Sequence, residues 1–260
     1  MLHKEISKWI KDYAKKNKIQ SLVVGVSGGI DSAVVSTLCA NTGLMTRVVT
    51  MPIRQNKKTH ELSLRHVEWL FNRLFDKKFG ATSPGPLLHI NIDLTKTFAV
   101  FEKQLKLAGQ DNQLAFANSR SRLRMMTLYQ IAQSNNGIVV GTGNKVEDFG
   151  VGFFTKYGDG GVDISPIADL TKTEVWAMGR ELGIIQDIID AAPTDGLWDD
   201  GRNDQDQLGM SYADLEVAME QDSLPWEVTN PKDKKNLAKY RKIRARNLHK
   251  MLPIPIYKKP

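Results

Sequence analysis

The stretch Leu22-Val23-Val24-Gly25-Val26-Ser27-Gly28-Gly29-Ile30-Asp31-Ser32 constrains this chain more than any other. Apolar, mostly β-branched residues stop at Ser-Gly-Gly, and a second apolar run, Ile30 to Leu38, begins at once. That order reads as a buried strand, a tight glycine turn and a helix. Gly28 and Gly29 let the backbone approach a ligand closely. The helix start offers unpaired N–H groups and a positive dipole end, a seat for an anion. Ser27 and Ser32 add hydroxyl groups. Asp31 is the discordant member, because a carboxylate repels a phosphate unless a cation lies between them. It points to Mg²⁺ carried on a polyphosphate.

No G-x-x-x-x-G-K-[ST] and no G-x-G-x-x-G occurs, so neither a Walker loop nor a Rossmann dinucleotide fingerprint is present. The string S-G-G-x-D-S resembles the pyrophosphate loop of the PP-loop ATP pyrophosphatases. That resemblance implies cleavage of ATP to AMP and pyrophosphate, with the loop holding the pyrophosphate. The competing reading is a glycine-rich turn without a ligand.

Hydrophobic periodicity predicts helices at His3–Lys16, Ile30–Ala40, His60–Leu74, Lys96–Leu107 and Leu114–Gln133. Strands are expected at Ser21–Val26, Arg47–Pro52, Leu87–Ile92 and Gly137–Val140. Alternation of this kind predicts an α/β fold: a doubly wound, mostly parallel sheet with helices on both faces, a Rossmann-like three-layer arrangement. Ligands then sit beyond the carboxyl ends of the strands. Both the glycine loop and Val140-Gly141-Thr142-Gly143-Asn144 fall at that edge. The polar, turn-rich Asp195–Gln207 reads as a mobile loop.

With 260 residues, 41% of them hydrophobic, the chain is ample for a full core and fits one α/β domain or two small ones, and residues 1–260 are expected to form a single domain. No apolar run reaches the length of a membrane span, and the N-terminus has no signal-peptide core. The one cysteine, Cys39, falls on the apolar side of the first helix and excludes an internal disulfide or a Cys₄ zinc site. A cytoplasmic protein is expected. The net charge of +7 peaks in Lys232–Lys250. That run reads as a solvated amphipathic helix opened by Asn230-Pro231, with Leu237, Tyr240 and Ile243 on its inner face. No nucleic-acid motif accompanies it.

Gly141–Asp163 carries seven glycines interspersed with Thr, Lys, Asp and Glu, more than a structural loop needs. Glu147 offers a second carboxylate for Mg²⁺, Thr142 lies where the loop closes on a nucleotide, and Lys156 and Asp159 are candidates for a polar substrate. Thr171-x-x-Glu174 is a capping box, which places Lys172 in a first helical turn, against the helix dipole. Either it meets a phosphate there, or it is an ordinary exposed lysine.

Taken together, these blocks resemble ammonia-dependent NAD synthetases over nearly the whole chain. Asn118-Ser119-Arg120-Ser121-Arg122-Leu123-Arg124-Met125 is similar to that family's N-x-x-[AS]-R-x-R-M helix. Phe153-Phe154-Thr155-Lys156-Tyr157-Gly158-Asp159-Gly160-Gly161 is similar to its most distinctive block. Leu170-Thr171-Lys172, Ala192-Pro193-Thr194-Asp195 and Asn247-Leu248-His249-Lys250 follow in the expected order.

The resemblance implies that Ser27, Gly28, Gly29, Ser32, Lys172 and Thr194 hold ATP phosphates, with Thr142 by the adenosine. It implies Asp31 and Glu147 as Mg²⁺ ligands, and Asp31 and Lys172 as the catalytic pair. Arg122, Lys156, Asp159, Asp163, His249 and Lys250 would serve deamido-NAD. A homodimer is implied, to which Phe116 and Asn118 would contribute in trans. Two departures stand out. About one extra residue lies between Glu147 and Phe153, so Asp148 competes with Glu147 as the metal ligand, and Ala191-Ala192 precedes Pro193 where the family often has a charged residue.

The implied reaction activates the nicotinate carboxylate as an acyl-adenylate, which ammonia then converts to the amide. Relatives that use glutamine carry an amidotransferase domain with a cysteine nucleophile, and the pyrophosphate loop here begins near residue 27 with only Cys39 available. Free ammonia is therefore the expected donor. The rival readings are another PP-loop enzyme acting on a different carboxylate or carbonyl, and a non-catalytic nucleotide sensor. Paired carboxylates with Lys172 disfavour the sensor.

Overall fold

A computed structural model describes residues 1–75, 86–194, 196–198 and 203–259. Strands β1 (Ser21–Gly25), β2 (Met45–Thr50), β3 (Leu87–Asn91) and β4 (Gly137–Val139) form one sheet in the order β3-β2-β1-β4. Every pairing is parallel. Helices α1 (Leu2–Lys16), α2 (Ile30–Ala40), α3 (Lys57–Phe75), α4 (Thr95–Leu107) and α5 (Gln113–Gln133) alternate with them along the chain. The α/β alternation expected from the sequence is the one observed.

The central strands of the sheet are buried on both faces, as in most parallel sheets, and β1 shows why. Leu22 and Val24 pack with Ile10 of α1 and with Val34 and Leu38 of α2. Val23 points the other way, into a second core with Val49, Val139, Phe98 of α4, and Phe116 and Leu128 of α5. Period-two alternation of apolar residues thus serves two cores at once. Each such side chain contributes roughly 1.5–3 kcal/mol by leaving water. Cys39 is fully buried in the first core, as packing.

After β4 the chain forms a π-helical segment, Lys145–Val151, then α6 (Lys172–Leu182), α7 (Gln186–Ile189), α8 (Asp204–Leu208), α9 (Tyr212–Asp222) and α10 (Pro231–Met251). The π segment, α9 and α10 share a small core of Val146, Val151, Leu215, Leu237 and Tyr240. In α10, Asn230 caps the start by accepting from the Lys232 and Asp233 N–H groups. Its charges are spent within the molecule or on solvent: Lys232 pairs with Asp214, Lys234 with Glu227 and Arg241 with Asp222. One expectation is corrected. Residues 204–207 are not loop but the body of α8, because Asn203 and Asp206 close a capping box at its start. Asp195 and residues 199–202 of that expected loop lie outside the described residues.

Strand order reverses between β1 and β4: β2 and β3 continue on one side of β1, and β4 is added on the other. A crevice opens beyond the carboxyl ends of strands at such a switch point. The segments following β1 and β4 meet there.

Candidate active site

A cavity of about 240 Å³ lies at this switch point, walled by Ser27, Gly29, Asp31 and Ser32 from the first loop and by Thr142, Gly143, Glu147 and Asp148 from the second. Lys172, Thr194 and Asp159 complete it. The glycine turn is closed tightly on itself. The Ser32 hydroxyl donates to the Gly29 carbonyl at 3.0 Å, and the Ser27 and Ser32 hydroxyl oxygens lie 3.1 Å apart. Gly28 adopts φ +90, and a Cβ there would lie 2.6 Å from the Thr59 carbonyl oxygen, so the turn admits only glycine.

Lys172 occupies the first turn of α6, behind the capping box of Thr171 and Glu174. Its side chain is 2% exposed, which excludes the ordinary exposed lysine. The ammonium donates to Asp31 Oδ2 at 2.5 Å and to Glu147 Oε1 at 3.0 Å. Burial by itself would lower its pKa, but the two carboxylates overcome that and hold the ammonium above the ordinary lysine range. Burial raises Asp31, with Lys172 opposing and Glu147 reinforcing. Glu147 also feels burial, but Lys172 and the Tyr212 hydroxyl hold it on balance below the usual carboxylate range. Asn144 ties the pieces together: its Nδ2 donates to Asp31 at 3.1 Å, while its Oδ1 accepts from the Val146 and Glu147 N–H groups.

Two carboxylates converging on one ammonium are hard oxygen donors within reach of a single small cation. Among the described residues no group of three or more His, Cys, Asp or Glu side chains is placed to hold a metal. That donor set suits Mg²⁺, which is commonly held by one or two carboxylates plus substrate phosphates rather than by an all-protein cage.

Lys145–Val151 forms wide π turns, opened by the Asn144 cap. Segments of this kind are uncommon and concentrate at functional sites. The turn directs Asp148 at Gly143, where a Cβ would lie 1.8 Å from Asp148 Oδ2. Burial, then the nearby Asp159, Glu147 and Asp31 carboxylates, push Asp148 well above its ordinary range. Asp148, Met125 and Val162 also line a second cavity of about 590 Å³, so the two hollows adjoin.

This second cavity gathers Arg122, Lys156 and Lys250, three of the residues expected on the deamido-NAD side. The loop that carries Lys156 is pinned both within itself and against α5. Asp159 Oδ1 accepts from the Ser121 hydroxyl at 2.6 Å and from the Thr155 N–H, while Thr155 donates to Asn118 Oδ1 at 2.7 Å. Lys250 donates to the Phe154 carbonyl, and Lys156 to the backbone carbonyl of His249. Four residues expected on the dinucleotide, Phe116, Asn118, Asp163 and His249, line neither cavity in the single chain. Phe116 is core, edge-on to Phe98. Asp163 accepts from the Val139 N–H at 2.7 Å and from the Tyr129 hydroxyl. Asn118 accepts from the Thr155 hydroxyl, and His249 meets Lys156 through its backbone carbonyl.

The sequence carries no local sign of three further members. Tyr212 donates to Glu147 Oε1 at 2.5 Å and lies 3.3 Å from Asp204 Oδ2. Its ring centroid is 5.0 Å from the Lys172 nitrogen, and the Trp176 ring is 5.9 Å away. Tyr212 stands 65 residues from Glu147, so only the fold brings them together.

The family model for NAD synthase matches residues 2–255. This chain belongs to the NAD synthase family. It is 37% identical over 211 residues to the NH(3)-dependent NAD(+) synthetase of Carboxydothermus hydrogenoformans, covering 80% of each chain. The corresponding protein of Mycoplasma genitalium is 36% identical over 221 residues, 84% of this chain and 82% of the relative. Among solved structures, the NMN synthetase of Francisella tularensis superposes with TM-score 0.84 at 28% identity, covering 99% of this chain and 98% of the other. The NH3-dependent NAD synthetase of Campylobacter jejuni does so with TM-score 0.75 at 25% identity, covering 99% and 98%. As a NAD synthase family member the protein is an enzyme, a ligase of NAD biosynthesis.

Proposed function

We propose that this protein amidates deamido-NAD to NAD with ammonia and ATP, using the cavity at the β1/β4 switch point for ATP and the adjoining one for the dinucleotide. The observation that carries this reading is the Asp31–Lys172–Glu147 cluster, set beside a glycine loop at the mouth of a doubly wound sheet. An adenosine sensor has no need of two carboxylates and a lysine at the phosphate end.

The chemistry follows from what a carboxylate lacks. Its leaving group would be oxide, so it must first be activated. A carboxylate oxygen attacks the α-phosphorus of ATP, the Pα–O bond to the β-phosphate breaks, and pyrophosphate departs. Ammonia then attacks the carbonyl carbon of the acyl-adenylate. The C–O bond to AMP breaks, AMP leaves, and the nitrogen sheds a proton. Asp31 and Glu147 would hold Mg²⁺, which when bound neutralises phosphate charge. Loop N–H groups at Gly28, Gly29 and the start of α2 orient the departing pyrophosphate. Lys172 supplies a desolvated positive charge for the α-phosphate, where it is worth far more than in water. Arg122, Lys156 and Lys250 give the second cavity the positive charge that a dinucleotide's phosphates require.

Free ammonia is the donor in this reading, since the only thiol, Cys39, is fully buried and burial raises its pKa. Residues 1–260 act as a single catalytic domain, a homodimer in the cytoplasm; no helix among the described residues is long and apolar enough to cross a membrane. The close superposition on an NMN synthetase favours one second reading, in which the acceptor is the mononucleotide.

One assay tests both readings. The protein is incubated with ATP, Mg²⁺ and ammonium, with deamido-NAD or nicotinic acid mononucleotide, and AMP and pyrophosphate are counted. One AMP per NAD, with ammonium and not with glutamine, is the expected result. Preference for the mononucleotide replaces the substrate, and AMP release with neither acceptor overturns both.

A further inference from the structure

We propose that Tyr212 is a positioning residue for the cation site, its hydroxyl holding the Glu147 carboxylate and its ring face holding the Lys172 ammonium in one fixed arrangement. The inference rests on the reading of Glu147 as a cation ligand.

Tyr212 opens α9 and is 3% exposed. The helix start is itself fixed. Ser211 caps it by accepting from the Asp214 N–H, and Thr173, in the first turn of α6 beside Lys172, donates its N–H and hydroxyl to the two oxygens of Glu216 at 2.9 and 2.8 Å. The turn that carries Lys172 and the turn that carries Tyr212 are therefore clamped together.

From this position the side chain makes three contacts with the site. The hydroxyl donates at 2.5 Å to the same Glu147 oxygen that accepts from Lys172. The ring lies 5.0 Å from the Lys172 nitrogen and packs edge-on against Trp176 at 5.7 Å, so two aromatic rings flank the ammonium. The same hydroxyl lies 3.3 Å from Asp204, whose N–H is held by the Pro193 carbonyl just before Thr194. A tyrosine that merely filled space could point its hydroxyl at any carbonyl. This one ends on a carboxylate of the site. Groups that orient metal-ligating carboxylates by hydrogen bonding tune the metal's affinity.

The test uses Mn²⁺ as the probe. Its affinity for the full-length protein saturated with α,β-methylene-ATP is read by electron paramagnetic resonance, in wild type, Tyr212→Phe and Glu147→Gln. Tyr212→Phe keeps the ring and removes one oxygen. It is expected to weaken Mn²⁺ about 10-fold and to raise the Mg²⁺ needed for half-maximal turnover by a similar factor, with kcat at saturating Mg²⁺ little changed. A purely structural tyrosine would move the melting temperature and not the metal affinity. Wild-type Mn²⁺ affinity in Tyr212→Phe, while Glu147→Gln loses it, overturns the positioning role alone. Unchanged affinity in Glu147→Gln overturns the cation-ligand reading and this proposal with it.

Discussion

Replacing Lys172 with methionine removes the charge and keeps the approximate length of the stem. The ammonium is the shared partner of Asp31 and Glu147, whose side chains are 17% and 14% exposed. Removing one member of a buried ion pair costs about 3–5 kcal/mol, because the other is left uncompensated. Both carboxylates border a cavity, so the lower end applies, about 3 kcal/mol. At roughly 2–4 °C per kcal/mol for a chain of this size, the melting temperature should fall by about 6–12 °C. The deficit has a defined pH dependence. Burial already raises Asp31, and without the ammonium both carboxylates titrate above their unfolded values. The folded variant then binds more protons than the unfolded chain, so its stability falls as pH rises from the ordinary carboxylate range. Thermal melts of variant and wild type at about pH 5.5 and about pH 8 should show the smaller gap at the lower pH. Turnover should drop about 10²–10³-fold, the typical cost of one preorganised donor to a developing charge. A gap under about 2 °C at the higher pH, or one that widens on acidification, refutes the reasoning.

Three further outcomes are expected. Gly28→Ala forces a side chain into φ +90 against the Thr59 carbonyl, so it should cost about 1–3 kcal/mol and weaken ATP binding; calorimetric titration with ATP showing wild-type affinity contradicts it. Asp163→Ala leaves the Val139 N–H unpaired, with an expected loss of about 1–3 kcal/mol in urea unfolding, and turnover of the folded fraction nearly unchanged would mark the residue as structural. His66 is buried against Ser36 and Trp69, and burial depresses its pKa to about 3. The unfolded chain takes up a proton that the folded ring refuses, so stability is lost as pH falls from about 6.5 toward that value, and His66→Gln should flatten the slope.

Much of the site was legible in residue order. The Ser27–Ser32 turn had to follow a strand and open a helix, because the apolar runs on either side have those periods and the glycines break them. The Thr171/Glu174 capping box is enough to place Lys172 in the first turn of a helix. The π-helical segment Lys145–Val151, which turns Asp148 toward Gly143, has no sign in residue order. Side-chain periodicity does not say where backbone hydrogen bonds will widen from the α to the π spacing. Phe116 and Asp163 illustrate the same limit. Residue order alone does not say that within one chain Phe116 packs in the core and Asp163 accepts from the Val139 N–H of β4.

Sequence by itself determined the local units: where strands end, where helices are capped, and that a carboxylate stands beside an anion seat. Those features depend on neighbours within one or two turns, so periodicity and side-chain chemistry are enough to read them. Only the tertiary structure decided that Asp31, Glu147 and Tyr212, drawn from three separate segments, converge on the Lys172 ammonium of a fourth. The order β3-β2-β1-β4 brings the first loop and the second to the same edge, and the packing of α6 and α9 brings in the remaining two. Charges and hydrogen bonds act over a few ångströms in space, and distance along the chain says nothing about which residues will come that close.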